Sequence, residues 1–162
     1  MYDQKIRREL LAQLNLSRCL YEGLLGWAKV IEVSDQDAPI YFPTTMEILD
    51  KVIDLVADFP DRLQLTIAEI EKTKADKQKT VVTLLKQYYT ELVTLKSQTS
   101  KLASIGKQTT EDEKGVFLSK TAQEMYKMAA AMETASDNLR KIVSTVTSLS
   151  FDSSELDTDE YP

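Results

Sequence analysis

The sequence predicts an all-α fold, and three observations carry the prediction. Apolar residues recur at spacings of three and four along most of the chain. Glycine and proline number four each in 162 residues, sparse punctuation that favours long helices. From Glu111 to Leu149 there is no proline and one early glycine, and Leu118, Ala122, Met125, Ala129, Met132, Ala135, Leu139, Ile142, Val146 and Leu149 trace one apolar seam. Two architectures with coiled-coil-like packing fit this pattern. One is an up-down four-helix bundle; the other is an elongated antiparallel helical hairpin with two shorter helices.

The first helix is predicted over about residues 3–32, with Ile6, Leu10, Leu14, Leu20, Leu24, Trp27 and Ile31 as its stripe. Leu16, Cys19, Tyr21, Leu25, Ala28 and Val30 add a second stripe, so this helix is expected to be central and to cover the seam of the last one. Gly23 and Gly26 suggest that a neighbouring helix comes close, or that the helix breaks there. Residues 33–43 read as a loop, polar and then extended by Pro39 and Pro43, with Ile40, Tyr41 and Phe42 plugging one end of the bundle.

Thr44 and Glu47 form a capping-box pattern, which predicts a second helix over about 45–59. Its outer face carries Glu47, Asp50, Asp54, Asp58 and Asp61, an acidic row best read as solvated or salt-bridged. Pro60 either kinks this helix or opens the next with Asp58 as its cap. From 60 to 105 the stripe runs through Leu63, Ile67 and Ile70, then Val81, Leu85, Tyr88, Leu92, Leu95 and Leu102. Between these halves, residues 71–80 hold no large apolar side chain. One long helix or two helices joined by a polar turn both fit; a division into four helices of similar length favours the turn. Gly106 resembles a left-handed helix cap, and Thr110 with Glu113 a second capping box opening the last helix at 111–149. Residues 1–149 therefore read as one helical domain. Residues 150–162 read as a disordered acidic tail in which Ser154 and Tyr161 are candidates for phosphorylation.

Composition narrows the function. A chain of this length buries about 70% of its unfolded surface and needs no staples. The formal charge of −6 argues against a nucleic-acid partner. With Cys19 alone and no histidine, intramolecular disulfides, Ser-His-Asp or Cys-His catalysis and His-ligated zinc are excluded. The same usage, with no apolar run long enough to span a bilayer, points to the cytoplasm, with the nucleus as the alternative. Cys19 reads as a packed, inert thiol. No cofactor is expected, and no phosphate loop or dinucleotide fingerprint is present.

What remains is a non-enzymatic scaffold, adaptor or complex subunit that is expected to bind other proteins, helical ones, through its helix faces. The alternative is a peripheral membrane bundle that meets anionic lipid through lysines. The candidate partner-binding residues are the lysine run Lys72, Lys74, Lys77 and Lys79, the off-seam Tyr89, and the deformable Met125, Met128 and Met132.

Overall fold

The computed structural model describes residues 4–32, 37–73 and 78–149, with the backbone alone from 146 to 149. Its elements are α1 (Gln4–Ile31), α2 (Ala38–Val56), α3 (Phe59–Glu71), α4 (Gln78–Lys107), a 3-10 turn at Glu111–Glu113 and α5 (Lys114–Leu149). The fold is an all-α bundle. Side-chain contacts between elements set the direction of each. The Trp27 indole N–H donates to Thr45 Oγ1 at 2.8 Å, so the end of α1 lies beside the start of α2. Gln13 Nε2 donates to the Phe59 carbonyl at 3.1 Å, so α3 continues down α1 from where α2 stops. The Tyr88 hydroxyl donates to the Gln13 carbonyl at 3.2 Å, and Thr99 of α4 lies against Met128 of α5. The chain thus runs up α1, down α2 and α3, up α4 and down α5. This is the up-down bundle, with one of its four rods broken.

The break follows from Pro60. Its ring cannot donate to the Val56 carbonyl and crowds the preceding turn, so α2 ends at Val56. α3 restarts at Phe59, with proline in its first turn and Asp58 as N-cap; the Arg62 N–H to Asp58 carbonyl bond is 3.1 Å. Across the 60–105 stretch there are two helices, α3 and α4, as the polar interval suggests.

Three local expectations are corrected. α2 begins at Ala38, not Thr45: Pro39 occupies its first turn, where a missing N–H costs little, so Thr44 and Glu47 lie inside a helix already formed. Pro43 is tolerated on the exposed side of the same helix. Tyr41 and Phe42 still close the end of the bundle, edge-on to Trp27 at 5.9 Å and to Phe117 at 5.5 Å between ring centroids, whereas Ile40 stays exposed. Gly106 is not a left-handed cap but a buried residue in the last turns of α4. A Cβ there would stand 2.3 Å from Met46 Sδ and 2.9 Å from Phe117 Cζ, so glycine is needed for close approach. The Thr110 capping box is present. The Glu113 carboxylate accepts from the Thr110 backbone N–H at 3.3 Å, and the helix behind it runs unbroken from Lys114.

The core is one continuous cluster drawn from all five helices. α1 and α5 pack most extensively. The small side chains of Ser17, Ala28, Ala122, Ala129, Ala135 and Ser136 are buried along them, which lets two helix backbones come near each other. Gly23 and Gly26 play no part in that approach. Both are exposed, with open space where a Cβ would stand. Cys19 is exposed as well, on the outer side of α1, rather than packed.

Candidate functional site

Among the described residues, those singled out from sequence do not converge. Lys72 caps the end of α3, exposed, with Nζ 3.5 Å from Glu69. Lys79 stands exposed in the first turn of α4, and Lys74 and Lys77 lie outside the described residues, as do Ser154 and Tyr161. Tyr89 is half-buried and leans on the core, while its neighbour Tyr88 is enclosed. Met125, Met128 and Met132 are not an accessible surface. They are among the most deeply buried side chains, on a helix packed against both α1 and α4, and Met128 lies against Thr99 of α4. The acidic row of Glu47, Asp50, Asp54, Asp58 and Asp61 faces solvent along α2 and α3.

A polar knot sits beside the break between α2 and α3. Arg62 holds Glu9 through Nε and Nη2 at 3.1 and 2.9 Å and lies 4.3 Å over the Phe59 ring. Gln13, fully buried, donates to Glu9 Oε2 at 2.9 Å as well as to the Phe59 carbonyl. Burial first, and the Glu9 charge second, raise the Tyr88 phenol well above its ordinary value. The phenol therefore stays protonated and donates to the Gln13 carbonyl. These bonds tie the start of α3 to α1 and α4, and the Gln13 Oε1 is left buried without a partner.

On the α1/α5 edge two tyrosines meet carboxylates. A hydrogen bond to Glu133, then the charge of that carboxylate, raises Tyr21; a hydrogen bond to Glu32 does the same for Tyr126. Each pair joins α5 to α1 or to the residue that follows it.

A groove of about 620 Å³ lies between the second half of α4 and the first half of α5. Leu102 and Phe117 form its inner wall, and Ile105 and Val116 stand on it at 50% and 60% exposure. Its floor includes Thr121, fully buried, whose hydroxyl has no hydrogen-bond partner. A buried hydroxyl left in that state costs about 1–3 kcal/mol, unusual inside an otherwise satisfied helix. The groove joins apolar side chains, Leu102, Ile105, Val116 and Phe117, to polar ones such as Gln98, Lys101, Lys120 and Glu124.

Sequence reasoning passed over this groove. Its signal was present in two apolar residues off the seams, Ile105 and Val116, on either side of the turn between α4 and α5. Periodicity assigned them to no face, and solvent is what they meet.

Comparison with protein-family models, with curated proteins and with solved structures gives no match. Among the described residues, no group of three or more His, Cys, Asp or Glu is placed to hold a metal ion, and no helix is long and apolar enough to cross a membrane.

Proposed function

We propose that this protein is a non-enzymatic helical scaffold or adaptor, a subunit that holds partner proteins by docking a helix of theirs in the α4/α5 groove. The observation that carries this reading is the groove itself, with Ile105 and Val116 left in solvent on its wall and the Thr121 hydroxyl unpartnered in its floor. Exposed apolar side chains gathered on a concave surface favour an added helix, which buries them without disturbing the bundle. The other exposed apolar residues, such as Leu55 and Leu65, stand on convex helix surfaces where single exposure is ordinary.

The test is quantitative affinity purification of the wild type beside I105E/V116E and a control, K72E/K79E, followed by reconstitution of each recovered protein in purified form. Groove docking predicts direct binding that the first variant abolishes and the second leaves intact. If both variants retain every purified interaction, the groove is not the docking site. If only K72E/K79E loses binding, and binding is to anionic vesicles, the protein is a membrane-surface bundle instead.

A further inference from the structure

The charges around the groove are unevenly committed, and this selects its occupant. Four ionisable side chains line it: Lys101, Lys120, Glu113 and Glu124. Both carboxylates are already engaged. Glu113 accepts from the Thr110 hydroxyl at 2.7 Å and from the Thr110 backbone N–H, closing the capping box at the head of α5. Glu124 pairs with Lys127 at 3.5 Å, one turn along the same helix. The two lysines are exposed, one on α4 and one on α5, and neither has a carboxylate within ion-pair distance among the described residues. The groove therefore presents two free cations beside an apolar wall in a protein whose formal charge is −6. Lys101 and Lys120 balance Glu113 and Glu124 in formal charge, but the two ammoniums stand unpaired at the edge of an apolar wall, where a partner's carboxylates can meet them.

Resting on the reading of the groove as a docking site, we propose that its occupant is an amphipathic helix of another protein whose apolar stripe is flanked by aspartate or glutamate. The apolar stripe covers Ile105 and Val116. Its flanking carboxylates meet Lys101 and Lys120. A carbonyl or carboxylate oxygen near the middle of the stripe takes the hydrogen bond that the Thr121 hydroxyl lacks. The acidic outer face of α2 and α3 in a second copy has the charge but is a poor occupant. Along Glu47 to Asp61 it offers Leu55 as its exposed large apolar residue, too little to fill the trough.

A displayed library of 18-residue helical peptides, with a fixed leucine stripe and randomised flanking positions, tests this against the whole protein, with I105E/V116E as the counter-selection. The expected result is a groove-dependent pool enriched in flanking Asp and Glu. A synthetic member of that pool should lose at least tenfold in affinity on K101E/K120E and a few-fold on T121V. Its binding to the wild type should weaken as salt rises. A groove-dependent pool with neutral or basic flanks would overturn the charge assignment while leaving the groove a docking site. Absence of any pool that distinguishes the wild type from I105E/V116E would overturn both. Loss of binding in K101E/K120E is attributed to charge only if its circular dichroism and thermal midpoint match the wild type; K101Q/K120Q, with an intermediate loss, provides the second reading.

Discussion

Helix α5 meets its two neighbours in different ways. Toward α1 its packing is the most extensive in the bundle, and α5 buries alanines, methionines and Ser136 along its length. Toward α4 the contact is less extensive, and beside it, over the first turns of α5, lies the groove with Ile105 and Val116 at its wall. The difference lies in side-chain size and placement. Small buried residues on both helices, Ser17 and Ala28 on α1 and alanines on α5, allow close approach. Between α4 and α5 the small residue is Gly106, met by Phe117 and by Met46 from α2, so the inner side is closed and the outer side stays open. One helix thus completes the core on one face and carries an unfilled surface on another.

The sharpest way to break this comparison is to cut into the closed side. Met125→Ala should destabilise the protein by about 2–5 kcal/mol, read as a lower midpoint in denaturant unfolding, because a long, fully enclosed side chain leaves a cavity. A loss below about 0.5 kcal/mol would mean that the methionine stripe is open after all. Gly106→Val probes the joint between the two sides. It should cost about 1–3 kcal/mol by forcing Met46 and Phe117 aside. The same assay on Gly106→Ala should give a smaller loss, since the atoms displaced are the far ends of side chains and alanine is the better helix former.

Tyr88→Phe should cost about 1 kcal/mol at neutral pH by removing the bond to the Gln13 carbonyl. It should also change the alkaline response. Because the folded state holds the phenol above the ordinary value of 10.0, its contribution is fully present below that pH and falls as pH rises beyond it. Unfolding measured from pH 8 upward should show a shallower alkaline decline in the variant; identical slopes would remove Tyr88 as a cause. The smallest expected effect is a gain. Gly23→Ala and Gly26→Ala should each stabilise by about 0.4–1 kcal/mol, since both glycines face open space on a helix. Destabilisation at either would show that glycine, and not only alanine and serine, sets the distance between α1 and α5.

The seam from Leu118 to Ile142 was legible because a buried stripe has a period, and every residue named on it there is buried. The cover by α1 was legible for the same reason. What periodicity does not encode is which neighbour arrives. It left Met125, Met128 and Met132 readable as either core or surface, and it placed Cys19 and Val30, which are exposed, on one stripe with Leu16 and Ala28, which are buried. Local motifs misled where a stronger signal lay just upstream. Thr44 and Glu47 had the spacing of a capping box, but Pro39 had already started the helix. Gly106 carried the sign of a helix end, and its reason was a sulfur and a ring from two other helices. The groove was the least legible feature, because it is made by what is missing beside Ile105 and Val116.

The most direct measurement of groove docking is site-specific photo-crosslinking in cells with a benzophenone side chain at one position at a time. Positions 105 and 116 line the groove, whereas Leu65, 71% exposed on α3, is an exposed apolar control outside it. The expected result is the same discrete adducts from 105 and 116, absent at 65 and abolished at 105 when V116E is added. Equal adducts from all three positions, or adducts at 65 alone, would contradict the assignment of the α4/α5 groove as the docking site.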